Sequence, residues 1–391
     1  MKNFTPLNLS LPELSREQPV SEWIHTASVT GTYGITASVK DFNEVMDWQE
    51  HRRELTQGYY RLIHPPMVQE FKFRLQAKYP GFTAVLFTSG AVAEKELLEL
   101  LEVEHLSIPL KKYDEIPADL IKNHAHVFRF SSGAVEVGVV LLGDKELAGA
   151  LHERNRRRGG SLSARNVDYL LGKEIPGLPG EGIKNNCAKK LKEMEKASSV
   201  FFYPSGMGAV TAALDLVITP QTPHVLVLGN VYRDTHLILE EQVWAGRKVC
   251  TTFLDTHDLE GLRARVHQAS IGAVMIETIT NPLIEIPDLP AIAAMCKQAG
   301  KPLLVDSTMA GPLNVCPLEL GATVVIHSTS KYLSGSNTHG GGVVLTNDDE
   351  WVQKLNSQQV RYHNYLSPLE FPALWQGIQT YPARLLRFNR N

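Results

Sequence analysis

Residues 301–342 read KPLLVDSTMAGPLNVCPLELGATVVIHSTSKYLSGSNTHGGG and contain two apolar runs that decide the fold. The first run, Leu303–Val305, ends in Asp306, and the second, Thr323–Ile326, is followed by a short polar segment that reaches Lys331. Short apolar runs that contain β-branched residues and are bounded by Gly or Pro are typical of buried strands. The stretch therefore predicts two neighbouring strands whose carboxyl ends carry an acid and a lysine.

This acid and this lysine favour one kind of site. Open α/β sheets bind their ligands at the carboxyl ends of their strands. A lysine amine can condense there with an aldehyde while an acid keeps a pyridine nitrogen protonated, which indicates pyridoxal phosphate carried as a Schiff base. On this stretch alone a strand-end cap at Asp306 and a solvated loop lysine at Lys331 explain the residues equally well.

Outside this stretch, strands and helices alternate regularly after residue 182. A polar amphipathic helix is predicted over 183–196. Apolar runs predict further strands at 200–203, 224–228, 248–254, 272–277 and 343–345, and helices at 207–217, 234–244, 259–267 and 289–300. Such alternation implies right-handed crossovers and a mainly parallel sheet, here of seven strands, with helices on both faces.

The first part of the chain predicts a smaller α/β layer. Helical spacing is present at 41–55 and 67–77, and the strands and helices predicted after it lie at 83–88, 91–102, 126–130, 139–142 and 145–158. Asp144 is placed to cap the last helix, and Gly159-Gly160 to end it. We therefore predict an N-terminal α/β extension over 1–158 and a large ligand-binding domain over 159–391.

The segment Ser205-Gly206-Met207-Gly208 stands between a predicted strand and a predicted helix. Small residues there let the backbone approach a phosphate, and the first amides of the helix face it with a favourable dipole. A single Ser-Gly pair is weak evidence, but this one opens the alternating series that contains Asp306 and Lys331.

The composition argues against several other classes of protein. The 391 residues are 43% hydrophobic and carry a formal net charge of −3, so neither nucleic acid nor an anionic membrane is an expected partner. No apolar run approaches the length of a membrane span, and no apolar signal segment follows Met1, so we expect a cytoplasmic protein. The four cysteines are far apart and lack the spacing of zinc ligands, so we expect no metal site.

Five motifs occur in order along the second half of the chain, and together they resemble a known family. They are FFYPSGMGAV, NVYRDTHLIL, ETITNPLIEIPDL, LLVDSTMAGPL and VIHSTSKYLSG. Residues 160–391 resemble the cystathionine γ-synthase-like (Cys/Met metabolism) family of fold-type-I pyridoxal phosphate enzymes. The first part of the chain is similar to the longer, fungal-type branch of that family.

Matched by motif, the resemblance implies roles for the residues near the ring of the cofactor. Lys331 is implied to be the Schiff-base lysine and to carry protons between substrate carbons and the cofactor. Asp306 is implied to pair with the pyridinium nitrogen, and Tyr232 to stack on the ring. Asn281 is implied to lie near the cofactor hydroxyl and the substrate carboxylate.

The phosphate of the cofactor has an implied set of its own. Two backbone amides and two hydroxyls are implied to bind it, those of Gly206, Met207, Ser328 and Ser330. An arginine that reaches the phosphate of a neighbouring subunit is assigned to Arg165, with Arg61 as the competing candidate. Ser163 stands where the family usually has Tyr, and this difference removes one expected contact to the neighbouring site.

The resemblance implies a transsulfuration-type enzyme acting on an O-acylhomoserine or a related sulfur amino acid, by γ-replacement or by elimination. Family members continue into a C-terminal domain whose arginine holds the substrate carboxylate, and we expect that domain to be absent from this polypeptide. A truncated sequence and a second chain that supplies the domain both remain open, and we expect a homo- or hetero-oligomer. The alternative function is a cofactor-binding pseudo-enzyme or a regulatory subunit of such a complex.

Overall fold

A computed structural model of the chain describes residues 68, 71–72, 75, 80–100, 126–132, 135–170, 182–241, 243–244, 247–335 and 339–390. The helix predicted over 41–55 and the candidate Arg61 lie outside these residues, as does most of the helix predicted over 67–77. No helix in the described part of the chain is long and apolar enough to cross a bilayer.

The described strands and helices follow one another along the chain as follows. The strands are β1 (Thr83–Phe87), β2 (His126–Ser132), β3 (Val135–Leu142), β4 (Ser199–Tyr203), β5 (His224–Leu228), β6 (Val243–Trp244), β7 (Arg247–Lys248), β8 (Cys250–Leu254), β9 (Ile271–Glu277), β10 (Leu303–Asp306), β11 (Val324–Ser328) and β12 (Gly342–Thr346). The α-helices are α1 (Gly90–Leu100), α2 (Lys145–Arg158), α3 (Ala164–Leu170), α4 (Gly182–Glu195), α5 (Gly206–Val217), α6 (Arg233–Glu240), α7 (Leu259–Arg265), α8 (Leu289–Ala299), α9 (Asp349–Tyr362) and α10 (Phe371–Phe388).

Seven strands form the large sheet, in the order β4-β12-β11-β10-β9-β5-β8. Neighbouring strands are parallel except at β12, which runs antiparallel to both β11 and β4. All residues of β9 and β12 are buried, which explains why these strands appear in the sequence as continuous apolar runs. The mainly parallel seven-stranded α/β sheet predicted from the sequence is confirmed.

Helices cover both faces of the large sheet. Residues of α5, α6 and α9 pack on one face against alternate strand residues such as Val225 and Leu304. Residues of α7 and α8 pack on the other face against the residues between them, such as Leu226 and Val305, while α4 and α10 extend this cover over β4 and β12. Strand β10, which ends at Asp306, and strand β11, which Lys331 follows, are therefore covered by helices on both faces.

The smaller sheet is antiparallel, in the order β1-β3-β2. Residues of α1 and α2, among them Leu97 and Leu151, pack on β1 and β3. Asp144 caps α2 by accepting from the amides of Glu146 and Leu147, and Gly159 ends the helix with φ +74°, as the sequence predicts. The boundary between an extension at 1–158 and a domain at 159–391 stays a prediction.

One predicted helix is too long. The helix predicted over 234–244 ends at Glu240, and Val243–Trp244 instead pairs with Arg247–Lys248 in a two-stranded ribbon. The apolar residues Val243 and Trp244 continue the helical spacing, so the sequence pattern carries no mark of the end.

Candidate cofactor site

Two carboxyl groups lie side by side where the strands at the centre of the sheet end. Strand β10 is parallel to both of its neighbours, and Asp306 is paired with Ile326 on β11 and with Glu277 on β9. Strands β9, β10 and β11 all end within two residues of the position of Asp306. The acid of β10 and the segment that follows β11 therefore lie at the same edge of the sheet. This is the juxtaposition that the sequence predicts for Asp306 and Lys331.

Asp306 is held at this edge by the residues that follow it. Burial raises the pKa of its carboxyl, and the hydrogen bonds from Thr308 and the nearby His327 act in the opposite direction. The Thr308 amide donates to Asp306 Oδ1 at 2.9 Å, and the Thr308 hydroxyl accepts from the Ser328 amide at 2.8 Å. Thr308 therefore links the acid to the end of β11.

Glu277 is a buried acid at the end of β9, and the sequence motifs imply no role for it. Its Oε1 accepts from the Tyr232 amide at 2.6 Å, and the Asn281 amide also donates to the carboxyl. Burial and the neighbouring Asp306 raise its pKa to about 9. Glu277 thus ties together the backbones of two residues, Tyr232 and Asn281, that the resemblance places at the cofactor. Its position as the first residue of the motif ETITNP, directly after a buried strand, was the available signal.

A narrow cradle lies at the start of α5. Ser205 caps the helix by accepting from the Gly208 amide at 2.9 Å, so the amides of Gly206 and Met207 are the first two of the helix and have no partner within it. A Cβ at Gly206 would lie 2.6 Å from Ser328 Cβ and 2.9 Å from Ser328 Oγ. Only glycine lets the start of the helix approach the end of β11 this closely.

Lys331 lies in a π-helical turn, Thr329–Leu333, that follows β11 directly. Its backbone angles, φ −94° and ψ −120°, are not helical, so the turn bends at the lysine. Arg384 of α10 donates to the carbonyl of Tyr332 at 2.7 Å and to that of Leu333 at 2.9 Å. Although burial lowers the pKa of Arg384 to about 10, the guanidinium stays charged at neutral pH and fixes the backbone just after the lysine.

A buried polar chain connects the lysine turn to residues far away in the sequence. His339 Nε2 lies 2.9 Å from Thr329 Oγ1, and its Nδ1 lies 3.2 Å from Glu370 Oε2. The Ser163 hydroxyl donates to Glu370 Oε1 at 2.8 Å. Burial would raise the pKa of Glu370, but the hydrogen bond from His339 and the charge of Arg165 hold it below its usual value.

The remaining predicted residues lie as follows. The Ser330 hydroxyl donates to the Gly341 carbonyl at 3.2 Å and accepts from the Gly341 amide at 3.0 Å, so a phosphate would have to compete for its proton. Arg165 donates to the Leu369 carbonyl at 3.0 Å within the same chain. Tyr232 is 39% exposed and stands at the start of α6. The predicted roles of these residues stay predictions.

The residues present fit pyridoxal phosphate. A Cβ at Gly206 would meet Ser328, and the first two amides of α5 have no partner within the helix, so they are available to a phosphate at this helix start. Burial raises the pKa values of Asp306 and Glu277, and a protonated ring nitrogen would supply the positive charge that stabilises Asp306 as a carboxylate. Gly206, Met207 and Ser328 would hold the phosphate, Asp306 the ring nitrogen and Lys331 the aldehyde carbon.

A mainly parallel α/β sheet with a lysine and an acid at its strand ends is the arrangement expected of a pyridoxal phosphate-dependent protein. The family described as Cys/Met metabolism PLP-dependent enzyme matches residues 180–391, which is more than half of the chain. The chain belongs to this family, whose cofactor is pyridoxal phosphate.

Individual relatives match a similar part of the chain. Cystathionine gamma-lyase of Bacillus subtilis (strain 168) is 34% identical over 199 residues, which are 51% of this chain and 52% of the relative. Cystathionine gamma-synthase of Mycobacterium leprae (strain TN) is 34% identical over 212 residues, 54% of each chain. The solved cystathionine gamma-lyase from Lactobacillus plantarum complexed with L-serine is 27% identical, with a TM-score of 0.48 over 54% of this chain and 57% of that chain. The chain spans about half the length of the curated relatives it matches.

Proposed function

We propose that the protein is a pyridoxal phosphate-dependent enzyme of the transsulfuration type, acting on an O-acylhomoserine or a related sulfur amino acid. The observation that supports it most directly is the cradle between Gly206 and Ser328, which lies beside the strand ends that carry Asp306 and Lys331. Relatives named cystathionine gamma-lyase, cystathionine gamma-synthase and L-methionine gamma-lyase support this substrate class. They do not select between γ-replacement and elimination.

In this mechanism the chain binds, orients and moves protons. Bound pyridoxal phosphate supplies an electron sink for negative charge that develops on the substrate carbons. Asp306 would keep the ring nitrogen protonated, the α5 amides would bind the phosphate, and Tyr232 would lie against the ring. Lys331 Nζ would take a proton from the substrate and return it at a neighbouring carbon. Asn281 orients the substrate carboxylate.

The cofactor attachment can be tested at the level of the residue. The purified protein is loaded with pyridoxal phosphate, reduced with borohydride, digested and analysed by mass spectrometry. We expect the reduced adduct on the peptide that contains Lys331, and no adduct with Lys331→Ala. Lys354→Ala is the matched control, because Lys354 is an exposed lysine on α9 that pairs with Glu350 at 2.6 Å. An adduct on another lysine, or none in the wild type, would refute the proposed site.

Turnover tests the activity separately. The loaded protein is given an O-acylhomoserine with and without cysteine, and the release of the acyl group is measured. Release that requires cysteine supports replacement, in which the thiol takes the place of the acyl group, and release that does not require cysteine supports elimination. A protein that forms the Lys331 adduct but turns over neither mixture would instead support the alternative of a cofactor-binding subunit.

The assembly is part of the same proposal. We expect an oligomer in which Arg165 reaches the phosphate of a neighbouring subunit, and a heteromeric enzyme with a second chain remains the further hypothesis. Native mass spectrometry of the protein purified from its own cells would identify both the number and the kind of subunits. Full activity of this chain alone would contradict the need for a second chain.

A further inference from the structure

Helix α2 lies before the residues that the family matches, yet its end touches the cradle of the candidate site. The Ser205 hydroxyl, which caps α5, donates to the Gly159 carbonyl at 3.0 Å. Gly159 has φ +74°, and a Cβ there would overlap the Gly208 amide and the Ser205 hydroxyl. Because the Gly159 carbonyl takes the hydroxyl proton, an oxygen lone pair of Ser205 is directed at the Gly208 amide, and the first two amides of α5 remain for a phosphate.

A second contact leads from α2 to the side chain that covers the ring. Arg156 donates to Asp234 through both terminal nitrogens, at 3.1 Å and 3.4 Å. Asp234 is 5% exposed, and its Oδ2 also accepts from the Tyr232 hydroxyl at 3.4 Å. Arg156 thus neutralises a buried carboxylate that touches Tyr232.

Buried ion pairs fix α2 in this place. Arg158 donates to Glu99 at 2.9 Å and to Glu241, just after α6, at 2.7 Å. Arg154 pairs with Glu96 at 2.8 Å and also with Glu99. Removing one member of such a network leaves an uncompensated buried charge, so the network resists any displacement of α2 relative to α1 and α6.

We propose that α2 is a brace of the cofactor site, in which Arg156 is a positioning residue that fixes Tyr232 through Asp234, while Gly159 fixes the phosphate turn through Ser205. This inference rests on the proposed cofactor site and assigns it residues outside the part that the family matches. The brace sets the affinity for the cofactor and the orientation of its ring, and it takes no part in proton transfer.

The test uses the full-length chain and titrates pyridoxal phosphate into Arg156→Gln, Arg156→Lys and Arg157→Gln. Arg157 is the matched control, since both arginines pair with Glu153, Arg157 at 3.0 Å, but of the two it is Arg156 that donates to Asp234. We expect Arg156→Gln to weaken cofactor binding about fivefold and to reduce the visible circular dichroism of the bound cofactor. Arg157→Gln should stay within about twofold of the wild type, and Arg156→Lys should recover part of the loss.

A double-mutant cycle with Asp234→Asn keeps the test decisive. Far-ultraviolet circular dichroism of the cofactor-free variants shows whether they are folded, and the double variant should bind no more weakly than either single one. Equal affinity and equal visible circular dichroism in Arg156→Gln and the wild type would overturn the brace alone. A wild type that takes up no pyridoxal phosphate would overturn the brace together with the proposed function.

Discussion

Replacing Glu277 by glutamine should make the cofactor-free protein more stable at slightly alkaline pH. The carboxyl of Glu277 accepts from the amides of Tyr232 and Asn281 and lies beside Asp306. A glutamine oxygen can accept the same two hydrogen bonds, and its NH₂ group can donate where a protonated carboxyl would. The substitution therefore removes the ionisation and keeps the contacts.

The size of the effect follows from the pKa of Glu277. Burial and Asp306 raise this pKa from 4.5 to about 9 in the folded protein. Between these values the folded state holds a proton that the unfolded chain has released, so the free energy of unfolding falls as the pH rises. At pH 7.5 the loss is at most about 4 kcal/mol, since each pH unit above 4.5 contributes about 1.4 kcal/mol.

Urea unfolding of the cofactor-free protein between pH 5 and pH 8.5 measures this loss. We expect Glu277→Gln to exceed the wild type by about 2–4 kcal/mol at pH 7.5 and by less than about 1 kcal/mol at pH 5. Glu260→Gln, an exposed position in the first turn of α7, is the control and should leave the pH dependence unchanged. Because burial also raises the pKa of Asp306, some pH dependence should remain in the variant. A difference between Glu277→Gln and the wild type that does not grow from pH 5 to pH 8.5 would show that Glu277 ionises normally and would refute the reasoning.

Three further substitutions test the cradle and the lysine turn. Gly206→Ala fills the cradle and should abolish cofactor uptake in a spectroscopic titration, whereas Gly149→Ala, with open space around its Cβ, should bind normally and raise the free energy of unfolding by about 1 kcal/mol. Arg384→Leu leaves two backbone carbonyls at the lysine turn without this donor and should cost about 2–4 kcal/mol in urea unfolding. His339→Leu removes the link between the buried Glu370 and the lysine turn, so it should lower the free energy of unfolding by about 1–3 kcal/mol in the same assay. Because the turn carries Lys331, the variant should also bind the cofactor more weakly than the wild type.

The sequence predicted the large sheet well because its strands are buried on both faces. The strands predicted at 224–228 and 272–277 differ from β5 and β9 by at most one residue, and helix α2 has the predicted bounds. Continuous apolar runs are the pattern that such strands require. The prediction was wrong after Glu240, where the helix ends and the chain turns into a short ribbon, although the apolar residues keep their helical spacing.

The residues of the candidate site could be predicted where they follow the end of a strand. They could not be predicted where their role depends on a contact with a residue far away in the sequence. Asp306, Lys331 and Gly206 stand at junctions that the alternation itself locates. Glu370 and Ser163 are 207 residues apart, and no local pattern pairs them. The buried acid Glu277 is the first residue of the motif ETITNP, but its hydrogen bond to Tyr232, 45 residues away, depends on the order of β5 and β9 in the sheet.

These long-range contacts bear on what the first part of the chain does. Ser205, Asp234 and Glu370 each meet a partner located before residue 170, namely Gly159, Arg156 and Ser163. Each of the three lies beside a different component of the candidate site, which are the phosphate cradle, the ring-covering tyrosine and the lysine turn. A separately folded appendage would have no reason to make all three contacts. We therefore expect residues 135–170 to help shape the candidate site, and a variant that lacks them should lose cofactor binding even if the seven-stranded sheet still forms.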